Sequence, residues 1–240
     1  CKFLGIKEAP DKEEMKLILF FIKQHFAEFT LDEIVNAFNL AVARKLDIDP
    51  NHLESLVGIA DAYGFIAITQ NVPFEESWAK AMDCIQKALA LEPKNAPALH
   101  QLAYISFFTK ADFQAAFQQN LEAIELMPNY PEAQQFMSFL HLLDGDKKKA
   151  REHLQLALDI DPLNQETQFF QAYYYYVNGD FVKALELLED NLEKKPNNIP
   201  AIVTKSYCFL NLGRYKEALD FLEKVNLGLD YLVSYNFQDT

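Results

Sequence analysis

The sequence predicts an all-α fold, a solenoid of stacked helix–turn–helix units. Three observations predict it. Proline returns at a fixed interval: Pro93, Pro128, Pro162 and Pro196 stand 35, 34 and 34 residues apart, and each closes a similar phrase ("KALALEP", "EAIELMP", "LALDIDP", "DNLEKKP"). An internal period of this length is the mark of stacked repeats. Small residues keep step with it. Ala81, Ala116, Ala150, Ala184 and Ala218 hold one position, while Ala60, Ala103, Ser138, Ala172 and Ser206 each follow a proline by ten residues. Small side chains at a recurring helical position let two helix backbones approach closely and so stack equivalent units. Finally, glycine is scarce, with 7 in 240 residues. A β architecture would need many more residues tolerant of positive φ.

Taken in order, residues 13–50 read as a degenerate first unit, with helices at 13–27 and 31–46. Thr30 and Glu33 form a capping box, and Phe29 and Ile34 its hydrophobic staple. Phe38 stands where later units carry alanine, so this unit is expected to pack differently. Five regular units follow over 53–230. The first of them is the longest, since Pro50 and Pro93 are 43 apart. The extra residues, "FIAITQNVPFEESW" (65–78), imply a longer first helix or an inserted loop, with Pro73 starting the next helix. Within the units apolar residues recur at three and four, as in Leu99, Leu102, Ala103 and Ser106, or Ala184, Leu187 and Leu188. The breaks carry turn chemistry: "DGD" at 144–146, "NGD" at 178–180 and "LGR" at 212–214. Asp146 and Asp180 are expected to cap the helices that follow. Residues 231–240 read as a cap or a frayed tail, and the whole of 1–240 as one solenoid.

On these residues the chain resembles the tetratricopeptide repeat family. That pattern asks for a small residue at position 8, an aromatic near 11, alanine at 20, a large apolar residue at 24, alanine at 27 and proline at 32. Counted from Gln165, the sequence supplies Ala172, Tyr175, Ala184, Leu188, Asn191 and Pro196. Counted from Pro131, it supplies Ser138, His141, Ala150, Leu154, Ala157 and Pro162. The departures, Gln171 for leucine, Asn191 for alanine and His141 for an aromatic, are expected to loosen single contacts without upsetting the register. The resemblance implies a right-handed superhelix. The stretches 56–93 and 98–133 further resemble the repeat tails of bacterial multidomain regulators, which follow a class III adenylate cyclase, a winged-helix or a kinase domain.

Composition narrows the function. The formal charge is −13, which repels phosphate backbones and anionic lipid, so neither nucleic acid nor membrane insertion is expected. The one compact basic run, Lys147–Lys149 with Arg151, reads as a solvated helix start. "LILFF" (17–21) is too short to span a bilayer. Cys84 and Cys208 read as small core residues. No phosphate loop, GxSxG elbow or HExxH motif is present. His141 and His153 could meet across a helix hairpin, but no third ligand accompanies them and no metal is expected. No cofactor is expected either. The chain is not read as an enzyme; an activity such as adenylate cyclase would belong to a domain outside it.

The candidate site comes from the resemblance. In that family, positions 2, 5, 9 and 12 of each first helix line a concave groove. Carried over, they place Tyr104, Phe107, Phe139, Phe169, Tyr173, Tyr176 and Tyr207 along it. In "FFQAYYYYVNGDF" (169–181), Phe169, Tyr173 and Tyr176 form one helical stripe, while Ala172 and Tyr175 face the partner helix. Such a stripe reads as an open binding surface or as self-packing. Tyrosine offers a large apolar face with a polar tip, which suits a peptide or a partner helix of apolar or amphipathic character. A second copy of the chain is a further candidate. The carboxylate clamp of chaperone-binding members cannot be assembled, because its sites hold Val57, Asp61, His100, Tyr104, Phe136 and Phe170. Free thiols point to the cytoplasm, with the periplasm as alternative. Cys1 in place of a methionine reads as the start of an excised fragment, or else of a processed lipoprotein.

Overall fold

A computed structural model describes residues 49–69, 74–196 and 198–225. Both expected helices of the first unit, at 13–27 and 31–46, Pro73 and the tail at 231–240 lie outside these. The chain divides into two compact units, Cys1–Pro128 and Asn129–Thr240. In the first, α1 (Leu53–Thr69) pairs with α2 (Phe74–Leu91), and α3 (Ala96–Lys110) with α4 (Phe113–Leu126). In the second, α5 (Pro131–Leu143) pairs with α6 (Lys147–Ile160), α7 (Gln165–Val177) with α8 (Phe181–Lys194), and α9 (Ile199–Asn211) with α10 (Tyr215–Val225). Each α3, α7 and α9 also packs on both helices of the hairpin before it within its unit. No strand occurs among the described residues.

The periodic markers explain this packing. Ala81, Ala116, Ala150 and Ala184 are wholly buried, as are Ala103 and Ala172, and Ala60 and Ala218 are nearly so, so the marker alanines sit in the packed interior. A larger side chain there would force the helices apart. Around these contacts close the long side chains Ile85, Ile105, Phe136, Leu140 and Leu188, all fully buried. Each contributes about 1.5–3 kcal/mol by leaving water.

Capping sets the helix starts. Asp112, Asp146 and Asp180 accept from the backbone N–H three residues on at 2.9, 3.0 and 3.1 Å, ahead of α4, α6 and α8. Asn95 and Asn164 do the same for α3 and α7. The prolines Pro93, Pro128, Pro162 and Pro196 fall just past the ends of α2, α4, α6 and α8, where no helical N–H is required. Inside the hairpins Gly179 adopts φ +81° and Gly145 φ +84°, a left-handed geometry that costs glycine nothing. At the corresponding turn of the α3–α4 hairpin the residue is Ala111, also left-handed at φ 49°. Both helices of the first regular unit are longer than later ones: α1 has 17 residues against 13 in α7, and α2 has 18 against 14 in α8.

Asn191 does not loosen the repeat as expected. It is fully buried. Its amide donates to the Gln165 carbonyl at 2.7 Å, and its Oδ1 accepts from Asn198 Nδ2 at 2.8 Å. One side chain thus joins the start of α7, the end of α8 and the cap of α9.

Candidate functional site: an aromatic face on the second unit

The candidate residues are aromatic rings on the first helix of each hairpin. In the second unit they form a continuous cluster. Phe139 on α5 meets Phe170 edge-on at 6.0 Å and Tyr173 at 6.5 Å, both on α7. Tyr173 contacts Tyr176 at 5.9 Å, and Tyr176 contacts Phe181 of α8 at the same distance. Offset and edge-on contacts of this kind favour aromatic pairs beyond their buried area. Helical spacing explains the line: residues three and four apart share a face, so Phe169, Phe170, Tyr173 and Tyr176 stack along α7.

These rings are not equally accessible. Phe169 is buried, 8% exposed, and serves as the floor beneath Tyr173 at 6.1 Å. Phe139, Phe170, Tyr173 and Tyr176 are half-buried. Tyr207 on α9 is open, at 49%. Burial raises the Tyr176 phenol, and Cys208, Tyr173 and Tyr207 raise it further. Tyr175, like Phe170, Tyr173, Tyr176 and Phe181, packs against the buried cluster that holds Ala172 and Leu188. In the first unit Tyr104 is half-buried with its ring edge-on to His100 at 5.1 Å, and Phe107 meets Phe108 edge-on at 5.0 Å.

Two cluster members escaped the sequence reading. Phe170 bridges Phe139 and Tyr173, and Phe181 closes the end of the stripe. Phe170 stands three residues before Tyr173, so the spacing held the signal. Phe181 belongs to the next helix, and only the hairpin brings it near.

The remaining candidates for chemistry are occupied structurally. His141 and His153 do meet across the α5–α6 hairpin, stacked at 5.4 Å and 14°. Among the described residues, no group of three or more His, Cys, Asp and Glu is placed to hold a metal ion. The Cys208 thiol is buried and pushed up to about 11 by that burial, and Cys84 is raised for the same reason, so neither is an activated nucleophile. Lys148 and Lys149 are exposed and lean on Glu152 and Asp146 at 3.8 and 3.6 Å. No described helix is long and apolar enough to cross a membrane.

Comparison with known structures decides the fold. TTC0263, a thermophilic TPR protein of Thermus thermophilus, superposes with a TM-score of 0.59 at 18% identity, over 82% of this chain and 99% of that one. Pseudomonas aeruginosa pilF gives 0.55 at 16% identity, over 93% and 96%. A tetratricopeptide repeat protein from Parabacteroides merdae ATCC 43184 gives 0.55 at 12% identity, over 89% and 78%.

The fold is the tetratricopeptide-repeat α-solenoid.

Within that fold, residues 148–225 also match the profile of a repeat family described as anaphase-promoting complex, cyclosome, subunit 3. No curated protein matches the sequence. α5, α7 and α9 are the first helices of their hairpins; they carry Phe139, Phe170, Tyr173, Tyr176 and Tyr207, and Phe181 stands on α8.

Proposed function

We propose that this tetratricopeptide chain is a non-catalytic protein-interaction module, and that the aromatic face of its second unit receives an apolar or amphipathic segment of a partner protein. Repeats of this fold generally present extended surfaces to other proteins. The observation that carries the reading is the linked set Phe139, Phe170, Tyr173 and Tyr176, half-buried, with Tyr207 exposed on the first helix of the next hairpin. The phenol tips of Tyr173, Tyr176 and Tyr207 can donate to the carbonyls of a bound backbone, while the ring faces meet apolar side chains. Aromatic anchors of this type dominate many protein interfaces. Tyr104 and Phe107 offer similar ring chemistry within the first unit.

Selection from a displayed peptide library tests the reading. Peptides taken by the parent chain should be apolar or amphipathic, and should lose at least tenfold in affinity for Tyr207→Ala, an order of magnitude typical of an interface anchor. Selected peptides that bind Tyr207→Ala and Tyr173→Ala as tightly as the parent would remove the site. Placement of the module in a bacterial signalling protein, behind an adenylate cyclase, kinase or DNA-binding domain, rests on the phrases at 56–133. The reading frame upstream of Cys1 tests that placement.

A further inference from the structure

The α5–α6 hairpin is closed by an unusual pair. The imidazoles of His141 and His153 lie almost parallel, 14° apart, with centroids at 5.4 Å. His141 is buried at 5% exposure, and His153 is half-buried. Gln134 Oε1 accepts from His153 Nδ1 at 2.7 Å. An amide oxygen can only accept, so Nδ1 carries the hydrogen and Nε2 is the atom left to take up a proton. We propose that this pair is an acid-operated latch: neutral, it packs the hairpin shut, and protonation loosens α5 from α6 and so destabilises the second unit.

Electrostatics gives the direction. Two imidazolium ions stacked in contact repel, and partial burial removes the water that would screen them. The charged groups acting on the pair are Lys149 and Glu152 on α6, and Asp144 and Asp146 at the turn. Lys149 adds a third positive charge. The carboxylates favour one proton but are outweighed: burial lowers His141 first, then Lys149, while burial and then His141 lower His153. The folded pair therefore resists protons that the unfolded chain accepts near 6.5. Stability is complete above that pH and falls as the pH drops below it. This also accounts for histidine at a position where the repeat pattern asks for an aromatic: the ring supplies the packing, and its nitrogen adds a switch that phenylalanine lacks.

The test uses the full chain and the variant His141→Phe, which keeps a flat ring against His153. Imidazole titrations by NMR should place both parent histidines below 6.5, and the His153 midpoint should rise in the variant. Urea unfolding at about pH 7.5 and about pH 5.5, either side of the ordinary histidine range, should show a smaller acid loss in the variant than in the parent. His153→Gln supplies the reciprocal measurement, with the His141 midpoint rising, should His141→Phe not fold. An unmoved midpoint in the surviving histidine, or an acid loss equal to the parent's, overturns the latch.

Discussion

His100 on α3 donates from Nδ1 to the Oδ1 of Asn120 on α4 across 2.8 Å, and both side chains are buried. The pair joins the two helices of one hairpin at a place where the repeat pattern calls for a large apolar residue. Burial pushes His100 down to about 4, and the Asn120 bond offsets only part of that. The folded value is below the unfolded 6.5, so the neutral ring is the native form. Its contribution is fully present above about pH 6.5 and is lost as the pH falls toward 4, by roughly 3 kcal/mol at the lower end. Urea midpoints measured across this window should fall more steeply for the parent than for His100→Leu/Asn120→Leu, in which both polar partners are gone. Parallel curves would show that the ring titrates normally.

Asn191→Ala restores the residue that the repeat pattern prefers, yet it should destabilise. The change removes the bonds to Gln165 and Asn198 and strands the buried Asn198 amide. A loss of about 1–3 kcal/mol follows from leaving such a group without its partner. Chemical denaturation of the variant measures it, and a gain in stability would contradict the role assigned to this side chain.

Ala111 occupies the left-handed turn position that glycine fills at Gly145 and Gly179. An L side chain in that geometry costs roughly 1–2 kcal/mol. Glycine relieves this cost but gains freedom in the unfolded chain, which offsets about 0.5–1 kcal/mol. Ala111→Gly should therefore stabilise the first unit by about 0.5–1 kcal/mol. Gly179→Ala should cost the second unit a comparable amount. The two thermal midpoints should move in opposite directions.

The repeat architecture was legible because it is written in local rules. A proline past the second helix of four hairpins, a small residue at each marker position and an aspartate at each of three helix starts are one-dimensional signals. They recur every 34 residues because each unit solves the same packing problem. Asp146 and Asp180 cap as their sequence neighbours demand.

What tertiary structure alone decided is how far each aromatic is covered. Phe169 and Tyr173 lie on one helical face four residues apart, yet one is floor and the other half-open, because exposure depends on what the neighbouring helices place over each ring. Phe181 joins the stripe only when α8 folds back on α7. His141 and His153 are twelve residues apart, and the sequence permitted their meeting, but the parallel stacking follows from the crossing of α5 and α6. Asn191 reads as a flaw in a linear pattern and becomes a junction once three helix ends converge on it. Periodicity specifies which residues share a face. The depth of burial and the partner of a polar atom depend on residues distant in the chain, which only the packed helices bring together.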